Sequence, residues 1–166
     1  MKKYLIYGSY GSNLLKERFM VYINGGNFCG KVYKGCKDKT ESESLGYIWV
    51  PYRIYFAKNS KTWGNKGVAF LSCTKEQDPN YHAIVRLWKI TEGQFEDIKE
   101  QEGPCWYNKT IQFGERDGLE IQTITGCWEN EKQEPSCQYI EIIKKGLKET
   151  TNWNNEEVEK YIKKFS

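Results

Sequence analysis

The sequence predicts an α+β domain on an antiparallel or mixed sheet able to close on itself, flanked by helices. Three observations lead there. Strand-like runs dominate the middle of the chain, helical patterns punctuate it, and no regular βαβ alternation appears. The 166 residues, 39% of them hydrophobic, suffice for one domain over 1–166 with its own core.

Lys3 to Tyr7 reads as a first strand running into a glycine-rich turn. Ser12 or Asn13 is placed to cap a helix that carries Leu14, Leu15, Arg18, Phe19 and Tyr22 at helical spacing. Asn24 to Ser44 reads as a long loop, with Gly25, Gly26, Gly30 and Gly35. Strands follow over Tyr47–Ala57, Lys66–Cys73 and Ala83–Ile90. Thr91 with Gln94 starts a helix as a capping box, and Gly103-Pro104 stops it. Strands at Tyr107–Phe113 and Leu119–Thr125 flank a hairpin signal over Gly114–Gly118. Pro135-Ser136 opens a helix with Tyr139, Ile142, Ile143 and Leu147 on one face. A last helix is capped near Asn154 and buries Val158, Tyr161, Ile162 and Phe165.

Composition excludes several function classes. Lys and Arg total 25 against 22 Asp and Glu, a weak excess that does not point to nucleic acid. The lysines at 31, 34, 37 and 39 could attract an anion, but a solvated loop is the preferred account of them. No apolar stretch approaches the ~20 residues of a membrane span, and the run after Lys2-Lys3 is too short for a signal sequence. A cytoplasmic protein with no membrane partner is the expectation. The six cysteines form no CxxC pair, so reduced thiols are expected. His82 is the lone histidine, which argues against a zinc site and against a Ser-His-Asp or Cys-His hydrolase.

Glu102 is the most informative residue. It lies seven residues after Phe95 and four after Ile98, hence within roughly 20° of Phe95 around the helix axis. It therefore points where the two core anchors point, and an unpaired carboxylate there is costly. The last helical turn and partial desolvation would both raise its pKa, which suits a group that takes and returns a proton near neutral pH. A Lys or Arg partner, or an outward reach to water, would explain it structurally. Tyr10-Gly11-Ser12-Asn13-Leu14 joins the first strand to the first helix, and its amides could hold a carboxylate or an oxyanion. The run Lys58–Gly64 reads as a polar turn with one exposed aromatic, or as a further wall of a pocket.

Tyr10–Leu14, Glu100-Gln101-Glu102-Gly103 and Pro135-Ser136-x-x-Tyr139, in this order and spacing, resemble the γ-glutamylcyclotransferase family. The preceding Tyr7-Gly8-Ser9 echoes the first motif, and the second copy is taken because Asn13-Leu14 follows it. The resemblance implies a small, closed, mixed β-barrel flanked by helices. It implies Glu102 as acid/base, and a γ-glutamyl substrate lying against Tyr10, Gly11, Ser12 and Asn13 with Tyr139 in contact. Tyr107 matches a recurrent aromatic position, or fills a strand. The implied reaction closes 5-oxoproline by attack of the substrate's own α-amine on its γ-carbonyl. That chemistry needs no metal and no cofactor. A small-carboxylate binding or regulatory module on the same scaffold is the alternative. A partner-binding role for the lysine-bearing loop is a third reading, which nothing else in the sequence supports.

Overall fold

The computed structural model describes residues 2–166. The chain runs through β1 (Tyr4–Ser9), a 3-10 turn (Ser12–Leu14), α1 (Lys16–Asn24), β2 (Gly26–Phe28), β3 (Lys31–Tyr33), β4 (Glu43–Val50) and β5 (Ile54–Ser60). It continues through β6 (Lys66–Leu71), β7 (Ala83–Thr91), α2 (Glu92–Glu102), β8 (Lys109–Arg116), β9 (Leu119–Thr125), α3 (Cys137–Thr151) and α4 (Asn155–Lys163).

Strand β1 organises the fold. Five of its six residues are buried, as expected of a strand covered on both faces. It lies in the middle of a five-stranded sheet of order β4-β7-β1-β9-β8, antiparallel to β7 and parallel to β9. The sheet is therefore mixed. The expected closed barrel is not seen in the ladders, because β4 and β8 are the ends of this sheet. Side chains bridge that gap instead. Arg116 Nη1 donates to the Leu45 carbonyl at 3.0 Å, and the Tyr52 and Phe113 rings meet at 5.7 Å. The separate β5–β6 ribbon is tied to β9 by Thr125, whose hydroxyl accepts from the Leu71 amide at 2.9 Å and donates to its carbonyl at 2.7 Å.

Several sequence expectations are corrected. The strand expected over 47–57 is two strands on different sheets. Pro51 lacks the N–H a central strand requires, and the chain turns there, with the Tyr52 amide bonded to the Val50 carbonyl at 2.8 Å. Neither Ser12 nor Asn13 caps α1. They form a 3-10 turn, and α1 begins after an extended Leu15. The Asn13 side chain is directed at Tyr7 and Glu102 instead. The 24–44 loop contains the β2–β3 hairpin, whose two-residue turn, Cys29-Gly30, has φ of 50° and 85°. Positive φ at both residues marks a type I′ turn, hidden from the sequence because Cys replaces the usual Asn or Asp. The remainder of the loop is strapped to α2. Gln94 Nε2 donates to the carbonyls of Asp38 (3.1 Å) and Thr40 (2.7 Å), and the Lys37 amide donates to Asp97 Oδ2 at 3.0 Å.

The turn after β1 is pinned by α3. A Cβ on Gly146 would lie 2.6 Å from Leu14 Cβ, so a glycine is required where helix and turn touch. The doubled Gly8-Ser9 also acquires a purpose. Ser9 Oγ accepts from Trp88 Nε1 at 3.2 Å and donates to the Asn13 carbonyl at 3.0 Å. No helix among the described residues is long and apolar enough to cross a membrane.

The expectation of reduced thiols is corrected for one pair. Cys73 and Cys127, just beyond the ends of β6 and β9, are joined across 54 residues with their Cα atoms 6.0 Å apart. Spacing along the chain could not show this, because β9 reaches β6 only in three dimensions. Cys29, Cys36, Cys105 and Cys137 remain free. An Ellman titration of unreduced, denatured protein should therefore find four thiols; six would contradict the bridge. Reduction should lower the folding free energy by about 2–4 kcal/mol in urea.

Candidate functional site

The site is assembled from the end of β1, the turn that follows it, and the last turn of α2. Both halves of the α2 capping box are made: Thr91 Oγ1 accepts from the Gln94 amide at 3.1 Å, and Gln94 Oε1 accepts from the Thr91 amide at 2.9 Å. Phe95 and Ile98 are fully buried, and Gly103 ends the helix with φ of 101°. Glu102 is thus presented, partly buried, to the cavity beneath. Asn13 Nδ2 donates to Glu102 Oε1 at 2.9 Å and approaches the Tyr7 hydroxyl at 3.3 Å. Tyr7 is fixed between Phe19 and Phe95, each with its ring centroid 5.8 Å away.

The cavity brings together Glu102, Tyr10, Gly11, Ser12, Asn13, Tyr107 and Tyr139. Tyr139 and Tyr107 clamp one residue, Ala69, through its two flanking peptide groups. The Tyr139 hydroxyl accepts from the Ala69 amide at 3.0 Å, and the Tyr107 hydroxyl donates to the Ala69 carbonyl at 3.0 Å. Tyr107 precedes β8, so it belongs to this wall and not to a strand. Tyr10 donates to the Ile124 carbonyl at 2.8 Å. Gly11 lies under Tyr139: a Cβ there would be 3.1 Å from its hydroxyl and 3.2 Å from Ala69 Cβ. Among the described residues no backbone carbonyl takes the Gly11 or Ser12 amide. The Lys58–Gly64 run supplies a wall through Ser60, Thr62 and Trp63, and the expected exposed aromatic is buried against Tyr139, with ring centroids 5.0 Å apart.

Sequence reasoning did not single out Arg18, Tyr22, Tyr33 and Gln101 as site residues, yet all four line the cavity. Arg18 is buried, with Nη2 donating to the Tyr22 hydroxyl at 3.0 Å. The signal was present, because Arg18 falls in the apolar row of α1 as Glu102 does on α2. Gln101 holds the loop in place, accepting from the Gly35 amide at 3.1 Å and donating to the Tyr22 carbonyl at 2.9 Å.

The electrostatics separate one group from the rest. Burial pushes the Glu102 carboxyl above its usual range, opposed by the Arg18 charge and by the polar contacts of Tyr22 and Asn13. Desolvation, more than the helix end, is thus the leading cause. Burial also raises the hydroxyls of Tyr7, Tyr10, Tyr107 and Tyr139, which stay protonated as neutral hydrogen-bonding groups. Glu102 is the one carboxylate among the lining residues, and no histidine is among them. It is the one lining carboxylate, and its pKa is shifted upward by burial. Among the described residues no cluster of three or more His, Cys, Asp or Glu side chains could hold a metal ion.

Known structures share this arrangement of chain. A γ-glutamyl cyclotransferase superposes with a TM-score of 0.70 at 22% identity, covering 96% of this chain and 87% of that one. The chain has a γ-glutamyl cyclotransferase fold. An uncharacterized protein from Homo sapiens matches this fold at a TM-score of 0.68 and 23% identity, over 97% of this chain and 88% of the other. YkqA from Bacillus subtilis matches at 0.64 and 16%, over 98% and 54% respectively. No protein-family model matches the sequence. One relative, Histone deacetylase 5 from Arabidopsis thaliana, is 28% identical over 200 aligned positions, covering 95% of this chain but only 30% of that protein. The chain thus corresponds to less than a third of that relative's length.

The raised carboxyl has a consequence for stability. With a folded pKa above the ordinary 4.5, Glu102 favours the fold while protonated; this contribution is complete below pH 4.5 and lost as pH rises through the folded value. The stability of Glu102→Gln relative to the parent should therefore increase with pH across that window and then level off. Urea midpoints from pH 4 to 8 read this directly, and a difference independent of pH would contradict a raised pKa.

Proposed function

We propose that this chain is a γ-glutamylcyclotransferase-like enzyme that releases 5-oxoproline and an amine or amino acid from a γ-glutamyl compound. The observation that carries the reading is the hydrogen bond from Asn13 of the glycine turn to Glu102. It places a carboxylate of raised pKa in one cavity with the Gly11 and Ser12 amides.

The chemistry follows from these parts. The substrate contains its own nucleophile, so no serine or cysteine is required. Bound with its γ-glutamyl group folded against the Tyr10–Asn13 turn, it has its α-nitrogen near the γ-carbonyl carbon, and this proximity supplies much of the acceleration. Glu102 takes a proton from the α-ammonium. The freed amine attacks the γ-carbonyl, the new C–N bond closes the five-membered ring, and the carbonyl oxygen becomes an oxyanion. The Gly11 and Ser12 amides donate to that oxygen. The tetrahedral species then collapses with cleavage of the original amide C–N bond, as Glu102 returns its proton to the departing nitrogen. Glu102 takes the extra proton from the ring nitrogen to leave the neutral lactam, and passes that second proton on so that the amine departs as its ammonium. The Tyr139 hydroxyl, which accepts from Ala69, keeps its own proton for the ligand or for Ser12.

Glu102→Gln should lower kcat for 5-oxoproline release by about 10²- to 10⁴-fold with the far-UV spectrum unchanged. A panel of γ-glutamyl amines, amino acids and peptides, assayed for 5-oxoproline, provides the substrate. Undiminished turnover in the variant would refute the acid/base role. Thermal stabilisation by panel members without any product would favour a binding module on the same scaffold.

A further inference from the structure

Three buried side-chain polar atoms have no hydrogen-bond partner among the described residues: Oδ1 of Asn13, and Nε and Nη1 of Arg18. Both side chains line the same cavity. Unpaired buried polar groups are uncommon and costly. When all of them converge on one concave site, the missing partners are those a ligand brings.

Arg18 is the more demanding of the two. It is 4% exposed, and it forms no salt bridge with any described residue. The rings of Tyr22 and Tyr33 lie 4.6 Å from the guanidinium carbon and that of Phe28 lies 5.3 Å away. Aromatic faces shelter the charge from water without neutralising it. Nη2 is occupied by the Tyr22 hydroxyl, which leaves donors at Nε and Nη1 without acceptors. A sheltered guanidinium with free donors is matched by a carboxylate, whose oxygens accept short, charge-assisted hydrogen bonds. Asn13 presents the opposite need. Its nitrogen is engaged by Glu102 and Tyr7, and its oxygen awaits a donor.

We propose that Arg18 is the receptor for the α-carboxylate of a γ-glutamyl ligand, with Asn13 Oδ1 accepting from the neighbouring α-ammonium. The proposal rests on the cyclotransferase reading and names how that site recognises its substrate. The α-carboxylate and α-nitrogen share one carbon atom. The nitrogen must lie within reach of Glu102 and Asn13, so the donors that hold the carboxylate must flank them, as Arg18 does through Tyr22. A carboxylate on the departing amino acid lies several bonds further from the α-nitrogen. The cavity is therefore matched to the zwitterionic head of a glutamyl group, Arg18 facing the carboxylate and Glu102 with Asn13 facing the ammonium. 5-Oxoproline retains that carboxylate and should engage Arg18 as well.

Calorimetric titration of the wild-type protein with 5-oxoproline and with 5-oxoprolinamide tests this without any variant. The amide should bind at least about 10-fold more weakly. Arg18→Gln should weaken 5-oxoproline binding by about 10- to 100-fold, and Arg18→Lys by less, with no change for the amide. Equal affinity of acid and amide for the wild type would overturn the proposal, as would an absence of 5-oxoproline binding or unchanged binding in a folded Arg18→Gln. Turnover of the γ-glutamyl panel is measured in parallel. Product release with KM unaltered in Arg18→Gln removes the receptor and leaves the enzyme. Carboxylate-dependent binding of 5-oxoproline without any turnover removes the enzyme and leaves the receptor.

Discussion

The hydrogen bond between Asn13 and Glu102 joins positions 89 residues apart, and much of the fold exists to make it possible. One partner lies in the turn after the central strand, the other at the end of a helix that follows β7. Each is held independently. The turn is fixed by close contact with α3 at Gly146, by Arg86 donating to the Leu14 carbonyl at 2.8 Å, and by Ser9 donating to the Asn13 carbonyl. The helix is fixed by its capping box, by Phe95 and Ile98 in the core, and by the loop strapped to Gln94, Asp97 and Gln101. A hydrogen bond to a charged group contributes about 1.5–3 kcal/mol when its geometry is maintained. Rigid support on both sides keeps that contribution from being spent on ordering the partners.

The same arrangement sets the chemistry by contrast among neighbours. Tyrosine hydroxyls surround Glu102, and burial drives their pKa values further from neutrality. The carboxyl is also shifted upward, and from its low ordinary value that direction runs toward neutrality, not away from it. Desolvation therefore leaves a single carboxylate of raised pKa among neutral hydroxyls. Arg18 limits the effect, because its charge opposes the rise in the Glu102 pKa. Without Arg18 the Glu102 pKa would rise further, and with more exposure it would fall back toward the ordinary carboxylate value.

What could be read from the sequence follows the range of the interactions involved. The α2 boundaries, the Ser136 and Asn154 caps and the Asp117-Gly118 turn are local, and each is found where its residues place it. Glu102 was legible because helical period alone sets it against Phe95 and Ile98. Arg18 carried a comparable sign on α1 but was masked by its row of apolar neighbours. What needed the structure is non-local. The Cys73–Cys127 bridge depends on β9 reaching β6, and the bridging of β4 to β8 by Arg116 depends on the curvature of the whole sheet. The β2–β3 hairpin escaped for a different reason, since Cys29 at a positive φ defies the residue preferences by which such turns are recognised.

That hairpin separates two tasks within the cavity. The side proposed to react, Glu102 with Asn13 and the Gly11–Ser12 amides, stands on the central strand and a capped helix, where small shifts are resisted by close packing. The aromatic cover of Arg18 comes partly from this hairpin, with Phe28 ending β2 and Tyr33 ending β3, and Lys31 of the same hairpin lines the cavity. Loops tolerate change in length and composition far better than packed elements do. A change in β2–β3 would alter how strongly Arg18 is sheltered, and on the proposed reading how tightly a ligand carboxylate is held, without moving Glu102. The straps from Gln94, Asp97 and Gln101 set the limit of that freedom, because they anchor the same segment to the helix that carries Glu102.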